Sequence, residues 1–118
     1  MLDYERLDAY QRSIEFLALA FAVAERVPRG YASLADQLKR AAISIPLNIA
    51  EGSAKPDGPD RRRYHAIARG SAMECAAILD VARLLDPSPT AAVADGKTLA
   101  DGKTLLIRIV EMLSRMSR

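Results

Sequence analysis

The chain of 118 residues has no Trp, only two Phe and four Tyr, one Cys and one His. A single Cys excludes an internal disulfide and any Cys-built zinc site. A single His excludes a multi-histidine metal cluster, so neither a metal nor a cofactor is expected. Strand-favouring residues are scarce as well: 8 Ile, 5 Val and 3 Thr stand against 21 Ala and 14 Leu. That balance favours helix and points to an all-α protein with an aliphatic core. No apolar run approaches the ~18 residues that crossing a bilayer requires, and no signal-like segment opens the sequence. The expectation is a cytoplasmic protein that does not enter a membrane. The length fits one domain over residues 1–118, and a 50% apolar content is enough to build its core.

Four stretches carry helical periodicity. In residues 4–27, Leu7, Tyr10, Ile14, Leu17, Phe21 and Ala24 recur at alternating spacings of three and four, the stripe of a bundle helix. Pro28 and Gly30 end it. In residues 33–51 the stripe is Leu34, Leu38, Ala42, Ile45 and Ile49, with Ser33 as a candidate N-cap. Pro46 lies inside this stretch and removes one backbone donor. The apolar spacing continues past it, which predicts a kinked but continuous helix, the alternative being two shorter ones. A Gly- and Pro-rich loop follows, over residues 52–59. Residues 60–85 form the third helix, with Asp60 as candidate cap and Tyr64, Ala68, Ser71, Cys75, Ile78, Ala82 and Leu85 as its stripe. The fourth, residues 90–116, carries Leu99, Leu106, Val110, Leu113 and Met116. Four such helices on short loops predict an antiparallel up-down-up-down four-helix bundle.

The fourth stretch contains a tandem duplication: residues 94–99 (ADGKTL) recur unchanged as 100–105. Six residues do not match a period of 3.6, so the two copies face different ways. Each copy also puts a glycine, Gly96 or Gly102, into the helix, at about 1 kcal/mol relative to Ala. The start of this helix is therefore expected to be its weakest part.

The first helix is apolar on two sides. Phe16, Leu19, Ala20, Val23 and Val27 lie opposite Ile14, Leu17 and Phe21 at about 100° per residue. Ile43 and Leu47 similarly lie off the inner line of the second helix. Two apolar faces on a peripheral helix predict self-association, with Phe16, Leu19, Val23, Ile43 and Leu47 at the interface.

The segment from Gln37 to Gly52, QLKRAAISIPLNIAEG, resembles the signature of the bacterial four-helix bundle proteins also called 23S rRNA intervening-sequence proteins. The stretch from Asp8 to Ile14 is similar to that family's opening helix, and Ala68 to Glu74 (ARGSAME) to its third-helix motif. The duplicated fourth stretch departs from the family. The resemblance covers about residues 7–86. It implies a bundle that forms ring-like homopentamers. A related accessory protein of diversity-generating retroelements is a basic pentamer that binds nucleic acid. For most members of the family no activity is established.

Candidate functional residues fall into two groups. Ser44, Asn48 and Glu51 flank Pro46 and can hold the backbone groups that a kink frees. Glu51 and Glu74 are possible partners across adjacent helices, but the Glu-x-x-His pairs of a carboxylate metal bundle are missing. Glu51 paired to Arg40 or Arg69 is the structural alternative. His65 has no partner at metal-ligand spacing and is expected at or near the surface. Cys75 lies on the core stripe as a small hydrophobe. The second group is Arg61, Arg62, Arg63 and Arg69. The net charge is only +2, yet residues 53–70 hold five basic against two acidic side chains. Such a cluster suits phosphate binding without sequence preference, although cations at a helix N-terminus oppose its dipole. The leading expectation is a self-associating binding module, with RNA or DNA as partner and no small-molecule substrate. The alternative is a structural or protein-interaction oligomer. No catalytic constellation supports an enzyme.

Overall fold

The computed structural model describes residues 3–85 and 96–118. Four helices make up the fold: α1 Asp3–Arg26, α2 Ala32–Ser53, α3 Pro59–Leu84 and α4 Gly96–Met116. A 3₁₀ turn, Arg29–Tyr31, joins the first two. The bounds agree with the periodicity to within two residues except at the start of the fourth helix, where residues 90–95 lie outside the described part.

The helices form a closed square. α1 packs on α2, α2 on α3, α3 on α4 and α4 on α1, and among the described residues the backbones of diagonal helices stay apart. Neighbours run in opposite directions. Glu5 and Asp8 of α1 meet Arg115 and Arg108 of α4 at 2.8 and 2.9 Å. Arg69 of α3 meets Ser114, whereas Asp80 meets Lys103. Ser44 of α2 meets Ser71, and Gly52 meets His65. The result is an up-down-up-down bundle 49 Å long. Its core is aliphatic, built on Leu38, Ile45 and Ile49 of α2, Leu79 and several alanines of α3, and Leu106, Ile109 and Leu113 of α4.

Two local expectations, the caps of α2 and α3, are corrected, and the continuity of α2 is as expected. α2 starts at Ala32, before Ser33, and no side chain caps it. α3 starts at Pro59, whose fixed φ suits a first turn and whose missing N–H has no intrahelical role there. Asp60 is not a cap and pairs with Arg63 at 3.0 Å. α2 runs unbroken through the buried Pro46, which removes the option of two shorter helices.

The largest correction concerns α1. Phe16 and Val23 are fully enclosed within their own subunit, and Leu19 packs against the core. They are core residues and not an interface. The stripe of larger residues faces out instead: Leu7 is 56% exposed, with Tyr10, Ile14 and Phe21 exposed beside it. Gly102 accounts for the choice. A Cβ at Gly102 would lie 3.6 Å from the Phe16 ring and 3.0 Å from Leu19. The missing side chain of α4 is the space into which Leu19 fits, together with Leu79 of α3 at 3.1 Å, and the Phe16 ring lies in ordinary contact beside it. Small residues at Ala9, Ser13 and Ala20 let α1 approach closely around it. Ile43 and Leu47 remain exposed, as expected.

Candidate nucleic-acid interface

The α2–α3 turn gathers the basic residues. Helix α2 ends with carbonyls that have no intrahelical partner and carry partial negative charge. Arg61, in the first turn of α3, reaches back to them. Its Nε donates to the Lys55 carbonyl at 2.9 Å and to that of Gly52 at 3.2 Å. Its terminal nitrogen donates to Lys55 at 2.6 Å and to Ser53 at 3.4 Å. A cation at the start of α3, unfavourable by that helix's own dipole, is thus set against the negative end of α2.

The other three arginines diverge. Arg63 is exposed, pairs with Asp60, and lies 4.7 Å from the centre of the Tyr64 ring. Lys55 lies 5.6 Å from the same ring. Both cations are within the range of attraction to its face. Arg62 is half-buried on the side of α3 that turns toward α4. Arg69, two turns further along that side, donates from Nε to Ser114 at 2.7 Å. The four arginines therefore do not form one fork. Arg61 and Arg69 hold protein atoms, while Arg62, Arg63 and Lys55 edge the tip.

His65 lies directly beneath this tip and is wholly buried, deeper than the surface or partly buried position expected for it. Its ring rests against Gly52, where a Cβ would come within 2.9 Å of Cδ2 and Nε2. Nδ1 is 3.4 Å from the Met116 carbonyl, and Nε2 has no hydrogen-bond partner. Burial pushes the imidazole below its ordinary value. The Met116 carbonyl opposes this, and the charges of Arg61 and Arg6 reinforce it. The ring is held neutral. Only the tertiary contact with Gly52 reveals this, because a lone His after an Arg triplet gives no sequence signal of burial.

The remaining candidates are placed as follows. Asn48 Nδ2 donates to the Ser44 carbonyl at 2.8 Å and to Ser44 Oγ at 2.9 Å. Ser71 Oγ donates to the same Oγ at 2.9 Å. Glu51 is exposed and pairs with neither Arg40 nor Arg69. It is also far from Glu74: Ser44 is level with Ser71, so Glu51 is level with residue 64, ten residues or about 15 Å from Glu74 along α3. No carboxylate pair is assembled. Cys75 is buried, and burial, with a smaller effect from Glu74, pushes its thiol up to about 12. No group of three or more His, Cys, Asp or Glu able to hold a metal occurs among the described residues. No helix among them is long and apolar enough to cross a membrane.

A four-helix bundle with a signature second helix and a cationic α2–α3 tip defines a class of small helical proteins. The chain belongs to the family of 23S rRNA-intervening sequence proteins, whose family model matches residues 5–114. The match includes the duplicated part of α4, the stretch expected to depart from the family. No curated protein matches the chain.

Proposed function

We propose that this protein is a self-assembling helical module that binds RNA through phosphate contacts and has no catalytic role. The observation that carries the reading is apolar surface on two opposite sides of one subunit. On the α1–α2 side, Leu7 and Tyr10 line a groove with Ile49 and Ala50; Ile14, Ile43 and Leu47 are exposed as well, Leu47 at 62%. On the α3–α4 side, Met73, Ala76, Ile107 and Val110 line a groove of about 250 Å³. Surfaces on opposite sides favour a head-to-tail contact, ridge of one copy into groove of the next. Repeated with rotation, that contact closes a ring. A ring of five is what the family resemblance implies.

Each copy would add one tip with Lys55, Arg62 and Arg63. One tip holds too few free cations to bind strongly. Several on a common rim act together by avidity, and binding weakens with salt as counterions are released. The family's connection with 23S rRNA intervening sequences favours RNA over DNA. The rival reading, an oligomer that presents a protein-binding face, draws on the engagement of Arg61 and Arg69 with protein atoms.

Light scattering and RNA binding test both halves. The expected results are a multimer at micromolar concentration and retention of a generic single-stranded RNA at about 50 mM salt that fades by about 200 mM. The R62E/R63E double variant should lose RNA and keep the multimer. A monomeric mass defeats the assembly. No retention at low salt defeats the RNA reading and leaves the protein-binding ring.

A further inference from the structure

Between the two apolar sides, on the α2–α3 face, lies a polar notch of about 320 Å³ lined by Gln37, Arg40, Ser44, Ser71 and Glu74. It is more than a satisfied surface. Ser44 Oγ accepts a hydrogen bond from Asn48 Nδ2 and shares one with Ser71 Oγ. A hydroxyl has two acceptor positions and one proton. The two hydroxyls share one hydrogen bond, so whichever of them donates in it, the other's proton has no acceptor among the described residues. Arg40 and Glu74 line the same notch, yet neither forms an ion pair with the other or with any described residue. One donor hydroxyl, one guanidinium and one carboxylate therefore converge without partners. The notch is neutral overall, so it does not suit a phosphate chain. It suits a ligand that carries both charges.

We infer that the α2–α3 notch is a binding site for a small zwitterion of the α-amino-acid class. Arg40 and the free proton of the Ser44–Ser71 hydroxyl pair receive the carboxylate. The guanidinium offers a planar fork of donors and the hydroxyl adds a third. Glu74 receives the ammonium group. Gln37, with a donor and an acceptor on one amide, borders the side chain. This site is independent of the RNA reading, and neither outcome bears on the other.

The test is a titration followed by amide NMR on the full chain, with glycine and each of the other standard amino acids used singly to about 10 mM, a range set by millimolar affinity. Acetate and methylammonium serve as the two half-ligands. At least one amino acid should give saturable shifts confined to the backbone near residues 37–44 and 71–74. Each half-ligand should bind at least about tenfold more weakly. Arg40→Gln and Glu74→Gln should each weaken binding about tenfold or more, the effect of losing one charge-assisted contact. Both side chains are exposed, so both variants should keep the parent melting curve. Absence of saturable shifts with any amino acid overturns the site. So does unaltered binding in both variants, or acetate binding as well as the amino acid.

Discussion

Helix α1 carries two apolar stripes of the same spacing, and they meet opposite fates. Ala9, Phe16, Ala20 and Val23 are enclosed. Leu7, Tyr10, Ile14 and Phe21, larger on average, face out. Hydrophobicity alone would bury the second set. The fit to the neighbours decides otherwise, because a bundle interior must be filled without gaps or overlap. One large side chain on a lane of small ones lies beside the hollow over Gly102 that Leu19 enters. Four large ones would hold the helices apart. The enclosed side is thus specified by shape, and the greasier surface is left on the open side.

The sharpest way to break this contrast is to exchange the roles by mutation. Phe16→Ala should destabilise the subunit by about 3–5 kcal/mol in denaturant unfolding, the cost of an emptied aromatic site. Ile14→Ala should leave subunit stability within about 0.5 kcal/mol, as at an exposed position. The opposite ranking would reverse the assignment of the two faces.

The next effect is at the tip, where Gly52 is enclosed by the His65 ring. A mid-helix Gly→Ala change ordinarily helps by up to about 1 kcal/mol. Here the added Cβ meets a buried ring that cannot swing away, so Gly52→Ala should cost about 1–3 kcal/mol. The same ring gives a pH dependence. His65 is kept neutral when folded and takes a proton readily when unfolded, at about pH 6.5. Its contribution to stability is complete above that pH. It is lost as pH falls from about 6.5 toward the lower folded value, at no more than about 1.4 kcal/mol per pH unit. Thermal melts of His65→Leu between pH 7 and 5 should be flatter than those of the parent.

On the open side, Ile14→Glu and Leu47→Glu should dissociate the assembly in light scattering while each subunit keeps its helical spectrum. The smallest effect is at Gly96, which has open space around its α-carbon. Gly96→Ala should raise stability by up to about 1 kcal/mol. Gly102→Leu, in the later copy of the same hexapeptide, should lower it by about 1–3 kcal/mol through overpacking.

Much of the bundle can be read from the residues in order. Ala68 to Ala82 and Leu106 to Met116 each read as one main stripe, and on α2 the line from Leu38 to Ile49 outweighs Ile43 and Leu47. Two equal stripes on α1 leave two ways to turn, and the spacing of Phe16 and Val23 cannot choose between them. The deciding feature is on α4, about 86 residues away in the chain, and is a missing side chain. The tip is legible only in part for a related reason. Three adjacent arginines announce positive charge, but helical geometry sends them in three directions. Arg61 finds the end of α2, a destination that depends on how the loop folds back. The Ser44–Ser71 contact and the open notch beside it likewise need two helices in register before they exist.

The hexapeptide duplication has a consequence for how such a bundle tolerates genetic stutter. Inserting six residues into a helix turns whatever lies beyond by about a third of a revolution, enough to scramble a core if it fell mid-rod. Here the later copy supplies the hollow for Leu19, and every inward position after it keeps its phase. Of the earlier copy's described residues, Leu99 reaches the core while Gly96 has open space around its α-carbon. A slip of the copying machinery at that spot adds turns at the start of the rod and leaves the phase of Leu106, Ile109 and Leu113 intact.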